Sequence, residues 1–303
     1  MKEKFLISII GPTAVGKTAT GIQVAHALDA EILSADSRQF YKEMEIGTAK
    51  PTPEELTLVP HHFVNNLHIH EDYNVGVFER EALAKIEELF LKNRFAVMVG
   101  GSGLYVKALC EGIGEMPVID MEIRDRLNQQ KAEEGLAFLV DRLVKQDPEY
   151  AELADLHNPQ RVIRALEVIE STGKTYTSFR KAKSNVKRPF NIIKVGLELP
   201  REILYERIDR RMDNMIADGL FGEAKALYEY RNRNALQTVG YREIFGFLDG
   251  KYGREEAIRL LKRNSRRYAK RQMTWFKKDE AIRWFSPDRF DDIMRYIRDQ
   301  SNI

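Results

Sequence analysis

Apolar residues along this chain fall into short runs and periodic stretches that predict its elements. Lys4–Ile10 is a compact apolar run, which predicts a buried strand. Thr18–Leu28 brings Ile22, Ala25 and Leu28 to helical spacing, and Glu31–Ala35 predicts a second short strand ending at Asp36. Val77–Lys92 gathers Phe78, Leu83, Ile86, Leu89 and Phe90 on one side of an amphipathic helix. Phe95–Val99 is another buried strand, stopped by Gly100 and Gly101. Strand and helix alternating in this way predict a parallel sheet covered by helices.

The rhythm then changes. From Pro117 to about Pro189 no strand pattern occurs, and four helices are predicted, Glu122–Glu133, Leu136–Lys145, Pro148–Leu156 and Pro159–Glu170. Asp-Pro, Asn-Pro and Thr-Gly pairs mark the breaks between them. A strand returns at Ile192–Leu199, a long helix is expected over Arg254–Lys277 in a mostly helical last third, and Ile282–Phe285 is a candidate last strand. The stretches 47–62 and 180–190 read as mobile loops. The expected organisation is a core domain of residues 1–116 and 190–303, with an all-helical insertion domain of residues 117–189.

Composition narrows the class. The 303 residues are 43% hydrophobic and 31% charged, as expected of a soluble protein with a real core. No apolar stretch approaches the roughly 18 residues a membrane helix needs, and the Phe5–Ile10 run feeds a glycine loop rather than a signal-peptide cleavage site. The one cysteine, Cys110, excludes an internal disulfide and suits the cytoplasm. The formal net charge is only +2, but Lys251–Lys278 holds eleven Lys and Arg against Glu255 and Glu256. Such a local basic surface points to a polyanionic partner.

The chemistry concentrates in a few motifs. Gly11-Pro12-Thr13-Ala14-Val15-Gly16-Lys17-Thr18 matches the phosphate-loop pattern after an apolar strand and before a helix. Its glycines let backbone N–H groups curl toward phosphate oxygens, Lys17 adds a point charge, and the Thr18 hydroxyl is placed to ligate Mg²⁺. The fold class is therefore α/β, a P-loop parallel sheet flanked by helices with a helical insertion. Nucleotide hydrolases also place an acid after a later strand. Here Phe95–Val99 leads into Gly100-Gly101-Ser102-Gly103, which favours kinases or enzymes with a diphosphate leaving group. Asp36, at the carboxyl end of the second strand, faces the same crevice as the loop. It reads either as a general base or as a helix N-cap.

These residues together resemble the bacterial tRNA dimethylallyltransferase (tRNA isopentenyltransferase) family. The likeness runs through Gly11–Thr18, Asp36-Ser37-Arg38-Gln39-Phe40-Tyr41, Ile46-Gly47-Thr48-Ala49-Lys50-Pro51, Pro60-His61-His62 and Gly100–Tyr105. It continues through Asn158-Pro159-Gln160-Arg161, Arg164–Glu167, Val239-Gly240-Tyr241-Arg242 and Lys270–Trp275, covering nearly the whole chain. Ser102 departs from the family's usual Thr but keeps the hydroxyl. The resemblance implies transfer of a dimethylallyl group from its diphosphate to the adenosine 3′ of the anticodon. The phosphate loop, with Mg²⁺ through Thr18, would hold the diphosphate, and Arg211 or a neighbouring arginine would touch it. Asp36 would take the amine proton. The tRNA contacts implied are Asp36, Ser37, Arg38, Gln39, Ser102, Arg124, Gln160, Arg161, Val162, Ile163 and Arg164. A monomer is expected, with the tRNA anticodon stem-loop and dimethylallyl diphosphate as partners.

Other readings compete. A small-molecule P-loop kinase explains the loop and the arginines at 207–211, but not the insertion or the basic helix. An adenylate isopentenyltransferase needs no RNA-sized surface, and a non-enzymatic RNA-binding module leaves the phosphate loop unexplained. His61, His62, His68 and His70 lack a zinc-ligand spacing. Trp275 and Phe276 read as core more readily than as base-stacking residues.

Overall fold

The computed structural model describes residues 3–113, 117, 121–181 and 187–302. The chain forms two compact units, Met1–Cys110 with Arg188–Ile303, and Glu111–Lys187.

In the first unit the elements run β1 (Phe5–Ile10), α1 (Lys17–Ala27), β2 (Ile32–Ser34), α2 (Pro53–Leu58), β3 (His61–His62), α3 (Val75–Lys92), β4 (Phe95–Gly100) and α4 (Gly103–Glu111). The helices of the second unit are α5 (Met121–Glu134), α6 (Leu136–Gln146), α7 (Pro148–Leu153), α8 (Pro159–Thr172) and α9 (Tyr176–Lys181). The chain returns through β5 (Asn191–Leu197), α10 (Arg201–Ala217), α11 (Leu220–Ala226), α12 (Tyr241–Leu248), α13 (Arg254–Phe276), β6 (Arg283–Phe285) and α14 (Phe290–Ser301).

The strands form one parallel sheet in the order β3-β2-β4-β1-β5-β6. β1 is buried on both faces, as the uninterrupted apolar run requires. Alternate side chains separate the two layers. Leu6 and Ile10 pack with Leu33, Met98, Phe78 and Ile86, whereas Phe5, Ile7 and Ile9 pack with Val24, Val97, Ile208 and Ile293.

The second unit has its own core, built from Leu127, Leu139, Leu143, Tyr150, Val162, Ile163 and Leu166. Buried Asp147 caps α7 at the Tyr150 N–H (3.1 Å) and accepts from the Thr177 N–H (2.8 Å) and hydroxyl (2.7 Å), tying α9 to α7.

The units divide a few residues before the sequence breaks at Pro117 and Pro189. Arg188 explains the second offset, because its side chain is committed to the core. Its Nε donates to the Leu109 carbonyl (2.9 Å) and its Nη2 pairs with Glu79 (2.5 Å).

The stretch 47–62, expected as a mobile loop, instead contains α2 and β3. Thr52 and Glu55 form a capping box around Pro53, a start signal legible in the sequence. α2 buries no residue, so it carries no apolar period to reveal it. Of the other expected loop, α9 reaches Lys181, residues 182–186 lie outside the described residues, and β5 starts at Asn191.

Ile7 is fully buried. Ile7→Ala is expected to lower the unfolding free energy by about 3 kcal/mol, read from the midpoint of urea denaturation.

Candidate active-site cleft

Parallel strands all point their carboxyl ends at one edge of the sheet. β1, β4 and β5 are aligned there, with Ile10 opposite both Gly100 and Gly196. The residues just beyond those ends line a cavity of about 130 Å³. It takes Thr13, Lys17 and Thr18 from the phosphate loop, Asp36, Arg38 and Gln39 from the turn after β2, and Arg211 from α10.

The loop is shaped by backbone geometry. Gly16 sits at φ 115°, where a side chain would be strained, and α1 begins at the next residue. Gly11 passes so close to β5 that a Cβ would stand 2.6 Å from the Leu197 carbonyl oxygen. Buried Gln272 braces the loop from α13. Its Oε1 accepts from the Thr13 N–H (2.8 Å) and its Nε2 donates to the Gly101 carbonyl (2.9 Å).

Lys17 donates to the Pro12 carbonyl at 2.8 Å. Desolvation pulls its ammonium down to about 8; Asp36 opposes the shift and Arg211 adds to it. The Thr18 hydroxyl lines the cavity and makes no hydrogen bond among the described residues.

Arg211 extends toward the Thr13 hydroxyl (3.4 Å), and Arg207, one turn earlier, toward the Val15 carbonyl (3.5 Å). Arg210 is paired with Glu206 at 2.6 Å. Burial pulls the Arg211 guanidinium down, with Asp36 opposing.

No helix starts after β2, so Asp36 is not a helix N-cap. Residues 36–39 form a turn in which the Gln39 N–H donates to the Asp36 carbonyl (3.1 Å) and Asp36 Oδ1 accepts from the Arg38 N–H (3.1 Å). Ser37 meets Ser102, whose Oγ accepts from the Ser37 N–H at 3.0 Å. Gln39 faces the fold as well as the cleft. Its amide accepts from the Ser34 hydroxyl (3.0 Å) and donates to the Ala49 carbonyl (3.1 Å).

Sequence reasoning did not single out Tyr268 and Ser265 as site residues. Both line the cavity with Gln272. Their spacing, 265, 268 and 272, puts them on one face of α13, which was the available signal. Burial pushes the Tyr268 phenol up to about 12, although Arg38, Arg271 and a hydrogen bond with Ser102 pull the other way. His61 lines the cavity too, its Nδ1 2.7 Å from the Val59 carbonyl, while His62 pairs with Glu31 at 2.6 Å.

The remaining expected contacts stand in the second unit. Gln160 and Arg161 are exposed at the start of α8, which Asn158 caps at the Gln160 N–H (3.1 Å). Val162 and Ile163 are buried side chains in the core of this unit. Arg124 and Arg164 both engage fully buried Glu167, Arg124 through Nη2 at 2.9 Å and Arg164 at 3.4 Å. Among the described residues no three His, Cys, Asp or Glu side chains converge as a metal cage.

Comparison with known proteins shows the family. A family model described as IPP transferase matches residues 39–279. A tRNA dimethylallyltransferase of Cytophaga hutchinsonii is 53% identical, covering 97% of this chain and 96% of that protein. One of Christiangramia forsetii is 50% identical over 98% of this chain and 99% of its own. Among solved structures, the tRNA isopentenylpyrophosphate transferase of Bacillus halodurans matches with TM-score 0.73 and 40% identity, covering 99% of this chain and 97% of that one. A eukaryotic dimethylallyltransferase acting on tRNA matches with TM-score 0.79 and 27% identity, over 99% of this chain and 80% of its own. With a phosphate loop and an aspartate on one cleft, and likeness over nearly its full length, this chain belongs to the tRNA dimethylallyltransferase family.

Proposed function

We propose that this protein transfers a dimethylallyl group from dimethylallyl diphosphate to the exocyclic amine of the adenosine at tRNA position 37, next to the anticodon. The observation that carries this reading is that Lys17, Thr18, Arg211 and Asp36 line one cavity.

The amine nitrogen attacks the first carbon of the allylic chain. That carbon's bond to oxygen breaks, and its electron pair leaves with the diphosphate. Lys17, Arg211 and the loop N–H groups stabilise the charge that develops on the leaving group. Asp36 accepts the proton the amine loses, and the Asp36–Gln39 turn with Ser102 borders the flipped adenosine. A flipped base from a loop costs less than one from a duplex. Magnesium fits this donor set. The Thr18 hydroxyl is open to the cavity, and Mg²⁺ is commonly held by few protein ligands plus substrate phosphates. When bound it would neutralise diphosphate charge.

The acceptor surface is read from α13. Arg259, Lys262 and Arg266 are taken up by Glu256, Asp213 and Asp209. Arg267, Lys270 and Arg271 are exposed and pair with no carboxylate among the described residues. At their spacing they form one stripe with Thr274 and Trp275, and Trp275 is 43% exposed. Such a stripe suits phosphates and an unstacked base. Arg124, Arg161 and Arg164 of the helical unit are the further RNA contacts in this reading.

Labelled dimethylallyl diphosphate offered with unmodified tRNA and, separately, with AMP tests the reading. Label is expected in tRNA alone. Label in AMP would instead make the protein an adenylate isopentenyltransferase. Asp36→Ala should keep tRNA affinity while kcat falls by about 10²–10⁴-fold; normal turnover would remove Asp36 as the base.

The double variant Lys270→Ala, Arg271→Ala should weaken tRNA binding and flatten its salt dependence by roughly 0.7–0.9 log units per lost phosphate contact. An unchanged slope in a binding titration would take the stripe out of the RNA surface.

Lys17 is charged below about pH 8 in the free protein. Affinity for inorganic diphosphate should therefore hold at neutral pH and weaken above pH 8, by calorimetry. The same titration on Lys17→Ala subtracts the ligand's own protonation. The sign for stability is opposite. Between about 8 and the ordinary 10.5 the unfolded chain binds the extra proton, so the cost of burying the charge is relieved as pH rises through that window.

A further inference from the structure

The proposed chemistry leaves the apolar residues of the cleft wall, among them Met212 and Met215, without a role. α10 runs from Arg207 and Arg211, both against the phosphate loop, to Met212 and Met215 in the wall of the same cavity. Arg211 and Met215 are one turn apart, roughly 6 Å along the axis. Just past the helix end, Gly219 lies against Ile46, where an added Cβ would stand 3.9 Å from the Ile46 Cδ1. The loop at 45–47 therefore lies beyond Met215.

That loop is held unusually firmly. The Glu223 carboxylate accepts from the N–H groups of Glu45 (2.9 Å), Ile46 (2.7 Å) and Gly47 (2.9 Å), and from the Tyr241 hydroxyl (2.6 Å). Tyr241 is fully buried, and a Cβ on Gly47 would come within 2.6 Å of its hydroxyl oxygen. On the other side Lys50 donates to the Tyr41 carbonyl at 2.7 Å, and Gln39 holds Ala49. Burial and Glu223 push the Tyr241 phenol far up, so it remains a donor throughout the working range.

We propose that the clamped loop at Glu45–Gly47 is an end stop that sets the length of the allylic chain, with Glu223 and Tyr241 as its positioning residues. With the diphosphate at Lys17 and Arg211, a five-carbon chain spans about one helical turn and ends at Met215. A ten-carbon chain runs into Gly47, the residue of that loop that lines the cavity. The inference rests on the proposed donor site, and its test separates the two.

The experiment measures kcat/KM of the full-length protein for dimethylallyl and for geranyl diphosphate, with Mg²⁺ and unmodified tRNA. The unaltered protein is expected to prefer dimethylallyl strongly. Tyr241→Phe and Glu223→Gln are expected to raise the geranyl-to-dimethylallyl ratio roughly tenfold or more, the scale of a pocket's discrimination by chain length. A purely structural role would lower both values together, and an unchanged ratio overturns the end stop. If the clamp variants do not fold, Met215→Ala decides on the same ratio, a rise supporting the end stop and no change overturning it. Equal use of both diphosphates by the unaltered protein also overturns it. Failure to transfer dimethylallyl at all defeats the functional reading itself.

Discussion

Every part of the cleft depends on the strands being parallel. A parallel strand needs a crossover to reach its neighbour, so helices cover both faces and the sheet is buried. All carboxyl ends then meet at one edge, where irregular backbone can be exposed. That places the phosphate loop, the Asp36 turn and the Gly100–Gly103 turn side by side, though they are far apart in sequence. Gln272 then links two of them with a single buried amide, from Thr13 to Gly101. Its two ends are a donor and an acceptor, so each loop receives the partner its backbone lacks.

The charged residues divide by the company they keep. Glu167, fully buried, is matched by Arg124 and Arg164, since a carboxylate in the core without partners would be costly. On α13 the cations facing α10 are neutralised by its acids, Asp209 and Asp213, and those on the outer stripe are left to solvent. Unpaired exposed cations cost little in the free protein and are available to phosphates. Lys17 and Arg211 are the intermediate case. They are desolvated in the cleft with Asp36 as the nearby opposite charge, so burial disfavours their charged forms and Asp36 favours them.

Residues of one motif serve different ends. In Asp36–Gln39, Asp36 and Arg38 line the cleft, Ser37 is tied to Ser102, and Gln39 also holds the neighbouring loop. In Gln160–Arg164, Val162 and Ile163 belong to the core of the helical unit and the flanking polar residues to its surface. The motif Ile46–Pro51 meets Tyr241 of another motif directly at Gly47 and is tied to it through Glu223, which neither contains.

By itself the sequence determined the features set by near neighbours. β1, β4, α3 and α13 were legible because their apolar period or length is strong, and the phosphate loop because its spacing alone makes the curl. β3 escaped because a two-residue strand, His61–His62, has no period to detect. Tertiary structure decided the pairings across long separations. Nothing local to Gln272 announces Thr13, nothing near Glu223 announces Gly47, and the arginine at 207 or 211 is separated from that at 210 only by which side of α10 meets the loop. Local order follows from steric and hydrophobic preferences a few residues wide, whereas these contacts depend on how whole elements pack.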